Sequence, residues 1–485
     1  MAQQSSKKPK TKNSKQRRST KKRAKSLSAK RMLLATAVLD DPALSNLNKI
    51  KHIVILMLEN RSFDHMLGYQ KLRGRAVNGL TPGMNNTYKG ADYLVSHLPD
   101  TQFELDPCHS SKCVARQIGN NNGGFIVDYA RAQPTATKPE EILGYYDETD
   151  LPVYDFLSRE FCVCDQWYSS MPGPTWPNRL YALTGSSGGN TDNKAVPLYN
   201  RKSFVRHLDA ANVSWRWYCH DISTLRLVDG NYRIGHASNF FYFDNRTIFD
   251  PVCFIDHARS GDLASVSWID PNFVDFGTSK TYANDDHPPA DVKAGQALAL
   301  KLYNALVASP AWDQTLLVIT YDEHGGFFDH VMPESAPGDT NFNTFGCRVP
   351  TIIVSPWVAR GAVFSQTFDH TSIIKTILLR FCRTSDGTIP DMGKRVEAAM
   401  HLGSVLTETT ARPPAVGQEL IDLIKRVSDW RGEVESKRLM IQPAPTRARR
   451  AVRNSDVEAR INDFQRGLLN ARRRLARSGL PEGRP

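Results

Sequence analysis

Glu59 and Asn60 follow directly on the apolar run His52 to Leu58, and Asp322 and Glu323 follow on Thr315 to Tyr321. Three carboxylates and an amide oxygen drawn to one point would repel one another unless a cation sat among them. Oxygen-only donors suit Ca²⁺, Mg²⁺ or Mn²⁺, and Zn²⁺ is also admissible. A hydroxyl comes from the segment Met171-Pro172-Gly173-Pro174-Thr175-Trp176-Pro177, where Pro177 suits the first turn of a helix and Thr175 would stand just before it. Backbone N–H groups and the positive end of the helix dipole there favour an alkoxide and a bound phosphate alike. A metal beside that hydroxyl would take Thr175 as a further ligand and make it a nucleophile. On spacing alone, a Thr175 that merely caps the helix is as good a reading.

Histidines supply the remaining chemistry. His109 and His287 lie in polar, turn-rich sequence, where an imidazole can contact phosphate oxygens or protonate a leaving group. Taken singly, each reads more simply as a surface or structural histidine, and His220 has the same status in weaker context. Asp64, His65, His330 and His370 read as residues that order turns or support their neighbours.

The two apolar runs are short and rich in β-branched residues, which marks buried strands. In open α/β sheets, ligands gather beyond the carboxyl ends of strands. Two such ends side by side would converge Glu59, Asn60, Asp322 and Glu323. Ala264 to Ile269 and Pro350 to Ser355 read as further strands. Short aromatic runs such as Val213 to Tyr218 read as strands of a cap or insert at about 195–260. Asp291 caps an amphipathic helix through Val307, and Thr371 to Phe381 reads as another. Helices alternating with short buried strands argue for an α/β sandwich around a largely parallel sheet. The expected division is a basic tail at 1–45, a catalytic domain at 46–410 and a helical, Arg-rich extension at 411–485, its stretch 456–477 a peripheral helix or coil.

The chain of 485 residues is 40% hydrophobic and 23% charged, ordinary for a globular enzyme. Its net charge of +12 sits at the ends: residues 1–31 carry 13 Lys and Arg and no acid, and residues 446–485 carry 11 Arg against four acids. The body between them is mildly acidic. Basic tails suit peripheral contact with an anionic membrane, or simple solvation; nucleic acid is not the expected partner. No run approaches the ~18 apolar residues of a membrane-spanning helix. Met32 to Leu39 is short, ends in Asp40-Asp41 and makes a poor signal core. The eight cysteines lack zinc-type spacing and read as buried thiols. With no clear signal peptide, a reducing, cytoplasmic location is favoured over secretion. The sequence leaves the oligomeric state open.

Taken together, Glu59-Asn60-Arg61-Ser62-Phe63-Asp64-His65, Asp106-Pro107-x-His109-Ser110, Pro174-Thr175-x-Pro177-Asn178-Arg179, His287-Pro288-Pro289 and Asp322-Glu323-His324-Gly325-Gly326-Phe327-Phe328-Asp329-His330 occur in that order. The set resembles the phosphoesterase family of bacterial and plant non-specific phospholipases C, which includes a bacterial acid phosphatase. The resemblance covers roughly residues 48–400. It implies an alkaline-phosphatase-like three-layer α/β/α fold and attack on phosphorus by a metal-bound hydroxyl. By position, Glu59, Asn60, Asp322 and Glu323 match metal ligands, Thr175 the nucleophile, and His109 and His287 the phosphate-contacting or proton-transfer histidines. His220 aligns only loosely. The basic tails depart from the family, many of whose members carry a secretion signal. The resulting expectation is a metal-dependent phosphoester hydrolase of phospholipase C type, acting on a phospholipid or small phosphoester through a covalent phosphothreonine. In it His287, in preference to His109, protonates the leaving alcohol. The alternatives are a phosphomonoesterase and a non-catalytic protein that binds anionic surfaces.

Overall fold

The computed structural model describes residues 42–194, 198–220, 223–246, 251–273, 283–338, 342–441 and 463–477. Most of the expected N-terminal tail, residues 1–41, lies outside them. Eight strands build the central sheet: β1 (His52–Leu58), β2 (Cys162–Cys164), β3 (Trp215–Cys219), β4 (Phe240–Tyr242), β5 (Val266–Ile269), β6 (Thr315–Tyr321), β7 (Thr351–Val354) and β8 (Val363–Phe364). Their order is β8-β2-β7-β6-β1-β5-β3-β4. β1 runs parallel to both β5 and β6, and only β7 runs against its neighbours. The largely parallel sheet is therefore as expected.

Every residue from Ile53 to Leu58 and from Thr315 to Tyr321 is buried. Successive side chains point to opposite faces of a strand, so both faces of the sheet centre are covered, as in a three-layer α/β/α arrangement. Each Val, Leu or Ile so removed from water contributes about 1.5–3 kcal/mol. The helices used below are α1 (Ser111–Gln117), α2 (Thr175–Thr184), α3 (Val292–Val307), α4 (Thr371–Phe381), α5 (Gln418–Ile441) and α6 (Asp463–Arg477). Asp291 caps α3 through its side chain, which accepts from the Lys293 N–H at 3.0 Å.

Two expectations are corrected here. The aromatic runs assigned to a cap or insert are β3 and β4, and they extend the central sheet at one edge. Their burial follows from sheet packing, with Trp217 of β3 stacked on Trp268 of β5 at 5.0 Å between ring centroids. Cys108 and Cys113, expected as free thiols, form a disulfide, whereas Cys162, Cys164, Cys219, Cys253, Cys347 and Cys382 are free and buried. Among the described residues no helix is long and apolar enough to cross a membrane.

Candidate active site

Leu58 pairs with Tyr321 across β1 and β6, so the residues after them leave the sheet together. The Asn60 N–H donates to Asp322 Oδ1 (3.1 Å), the Glu323 N–H donates to the same oxygen (2.8 Å), and the Asp322 N–H donates to the Leu58 carbonyl (3.1 Å). Asn60 adopts φ +56°, a left-handed conformation that asparagine tolerates better than most residues. Gly325 faces it: a Cβ there would lie 2.1 Å from the Asn60 carbonyl oxygen, and its φ of +65° is one that side chains other than glycine rarely adopt.

Thr175 is the first residue of α2, not the residue before it; Pro174 holds the cap position and makes no side-chain capping bond. The hydroxyl is turned to the strand ends instead. Thr175 Oγ1 donates to Glu59 Oε2 (3.0 Å) and stands 3.2 Å from Asn60 Oδ1. That geometry sets aside the helix-cap reading. One turn further along α2, Arg179 Nε donates to Glu59 Oε1 (2.8 Å) and Nη2 to the Met57 carbonyl (3.0 Å). Arg179 is a site residue that the sequence signals only through its spacing of four from Thr175, which puts both on one helix face.

Glu59, Asn60, Thr175, Asp322 and Glu323 are all fully buried. Burial, reinforced by Asp322, raises the Glu59 carboxyl well above the usual range. Burial likewise pushes Asp322 up to about 6 against the pull of Arg179. Asp285, whose carbonyl accepts from the Glu59 N–H (2.7 Å), is also driven well upward by burial. Asp322 Oδ2 accepts no hydrogen bond among the described residues, and Arg179 Nε is 3.9 Å from it. Buried carboxylates in excess of their cations, one with an open oxygen, form a donor set that a hard divalent ion fits.

Glu323 is turned differently. Its Oε1 is 2.7 Å from His109 Nδ1, and its Oε2 accepts from the Gly325 N–H (2.7 Å) and lies 3.3 Å from His324 Nδ1. Burial would raise its pKa, but His109 and His324 hold it down at about 2. Glu323 thus stands apart from Glu59 and Asp322 rather than converging with them as expected, whereas ligand atoms of Asp106, His109 and His287 cluster together.

The rings of His109 and His287 meet edge-on at 5.6 Å, with Asp106 Oδ1 4.0 Å from His109 Nε2 and 3.9 Å from His287 Nδ1. His287 Nδ1 is 2.7 Å from the Pro288 carbonyl, which can only accept, so Nδ1 carries the hydrogen and Nε2 is the acceptor of the neutral ring. Burial, aided by His109, lowers His287 to about 3. In that form the ring hydrogen is held at Nδ1 by the Pro288 carbonyl and Nε2 is an acceptor, which suits a base better than the acid expected of His287.

Supporting residues behave as expected. His370 Nε2 donates to the Asp322 carbonyl (2.6 Å) while its Nδ1 accepts from Trp167 (3.3 Å). His324 Nε2 lies 2.9 Å from Gln117 Oε1 in α1, and Gln117 Nε2 donates to the Cys108 carbonyl (2.6 Å), tying the His109 loop to the segment after β6. His220 lies beside Asp244, 3.8 Å away, and packs on Phe243.

Residues 50–382 match the Phosphoesterase family. The chain belongs to that family. It is 36% identical over 368 residues to Non-specific phospholipase C6 of Arabidopsis thaliana, covering 70% of this chain and 69% of the relative. It is 30% identical over 418 residues to Phospholipase C A of Mycobacterium tuberculosis, covering 72% and 78%. Among solved structures, the PsFucS1 sulfatase from Pseudoalteromonas sp. aligns with 10% identity and a TM-score of 0.39 over 77% of each chain, too distant to argue from. This phosphoesterase is thus a hydrolase of phosphoester bonds, and the matched span contains all of the site residues named above.

Proposed function

We propose that this phosphoesterase cleaves phospholipids in the manner of a phospholipase C, passing the phospho-head group through Thr175. The carrying observation is the Thr175 hydroxyl, buried at a helix start and bonded to Glu59 rather than to its own helix. Names of the relatives support the substrate class. Glu59, Asn60, Thr175, Asp322 and Glu323 would hold a divalent ion, which when bound would neutralise phosphoryl charge and acidify the hydroxyl.

The protein's own groups do the rest. Thr175 Oγ attacks phosphorus, a bond forms between them, and the bond from phosphorus to the diacylglycerol oxygen breaks. Glu59 Oε2 already accepts the hydrogen bond of that hydroxyl and is the nearest acceptor for its proton. His109, with the ionised Glu323 behind it, has a partner for positive charge and serves as the acid for the departing alcohol. Neutral His287, with Nε2 as acceptor, takes the proton of the water that later attacks the phosphothreonine. Thr175 then leaves with its proton restored from Glu59. His109 is recharged from His287, whose ring it meets edge-on with centroids 5.6 Å apart.

Turnover of p-nitrophenylphosphorylcholine against p-nitrophenyl phosphate, with and without chelator, tests this reading. Chelator-sensitive preference for the diester is expected. Preference for the monoester would make the protein a phosphatase, and full activity after thorough demetallation would remove the metal.

A further inference from the structure

Helix α6 of the Arg-rich C-terminal stretch packs on aromatic residues beside the candidate site. On α6, Phe464, Leu468 and Ala471 are buried, whereas Arg466, Asn470, Arg474 and Arg477 are exposed, the pattern of an amphipathic helix docked by one face. The ring of Phe464 lies 5.5 Å from Trp176 and 5.3 Å from Phe273, and Gln465 Nε2 donates to the Phe273 carbonyl at 2.9 Å. Both aromatic partners lead to the site. Trp176 is the next residue after Thr175 and is fully buried. Phe273 presents its ring to the Arg179 guanidinium at 5.0 Å, and Arg179 in turn holds Glu59 Oε1. The helix lies beyond the residues that match the family.

We infer that Phe464 is a positioning residue: wedged between Trp176 and Phe273, it fixes the start of α2 and the Arg179–Glu59 pair, and so the angle at which Thr175 meets phosphorus. The inference rests on the reading of Thr175 as nucleophile. An aromatic wedge has no path to the substrate of its own, so its loss should disturb alignment and leave binding nearly intact. Misplacement by a fraction of an ångström to an ångström costs on the order of 10- to 100-fold in rate.

The test is steady-state kinetics of the full-length, metal-loaded enzyme on p-nitrophenylphosphorylcholine, well below the thermal midpoint of each variant. Phe464→Ala should lose about tenfold or more in kcat with KM changed less than threefold. Phe464→Leu, which keeps an apolar wedge, should recover most of that loss. A lowered thermal midpoint with kcat within twofold of wild type would reduce Phe464 to a structural contact and overturn the inference, as would an unchanged protein in both respects. If Phe464→Ala does not fold, Gln465→Ala removes the bond to the Phe273 carbonyl and should lower kcat severalfold; unchanged kcat there overturns the inference too. Inactivity of the wild type on every phosphoester would instead strike the proposed function, leaving the two failures distinct.

Discussion

At the scale of single residues, Arg179 decides how Glu59 is presented to Thr175. Its guanidinium binds one carboxylate oxygen and leaves the other to the hydroxyl. Arg179→Gln keeps length but not charge, so Glu59 would lose its counter-charge and rise further in pKa. Turnover should fall by about 10²-fold, measured as kcat, with the protein still folded; a loss below threefold would mean that Glu59 is held without it. Glu59, Asn60, Asp322 and Glu323 were legible in the sequence because each follows an apolar strand and carries a metal-binding side chain. Arg179, Asp106 and Asp285 were not. Arg179 reads as an ordinary helix residue until its partner across the sheet is known, and Asp106 and Asp285 read as turn formers. The tautomer of His287 was beyond reach as well, since it depends on the Pro288 carbonyl lying 2.7 Å from Nδ1.

Elements put those residues within reach, and the register of β1 on β6 is the decisive one. Parallel pairing of Leu58 with Tyr321 sets the two acidic ends level, and a slip of one residue would turn the alternate face toward the site. Both strands, together with α3 and α4, could be read from periodicity and from the Asp291 cap. β3 and β4 could be recognised as aromatic strands but not assigned to a sheet, because pairing partners 23 or more residues away leave no local signal. Thr175 was displaced by one position for a similar reason: Pro174 and Pro177 both suit a first turn. Gly325 offers a test at this scale. Gly325→Ala would drive a methyl group toward the Asn60 carbonyl and force a left-handed alanine. We expect a stability loss of about 1–3 kcal/mol in urea unfolding and a sharp fall in activity. Unchanged stability would show that the turn after β6 yields freely.

At the scale of the whole molecule, a buried charge network ties the segment after β1 to the segment after β6. Arg348 binds Asp329 Oδ1 (2.9 Å) and Asp64 Oδ1 (3.1 Å), and His330 Nδ1 reaches Asp64 Oδ2 at 2.6 Å. Burial opposes the charge on His330, yet Asp64 raises its pKa above the ordinary 6.5. Burial also opposes the charge on Asp64, yet Arg348 and His330 lower its pKa below 3.8. The His330 contribution is therefore complete below pH 6.5 and is lost as pH rises through the raised folded value; that of Asp64 is complete above pH 3.8 and is lost as pH falls through the lowered one. The thermal midpoint should decline from pH 6 to 9 more steeply in the wild type than in His330→Gln, and equal slopes would contradict the pairing. The proposed reaction turns on one hydroxyl, so the most direct measurement is an acid quench during turnover of p-nitrophenylphosphorylcholine, followed by peptide mapping. The account predicts a phosphocholine group on the peptide that contains Thr175, absent in Thr175→Val, which should also lose nearly all turnover. An unmodified peptide together with substantial activity in Thr175→Val would mean that water attacks phosphorus directly, and would contradict the central claim.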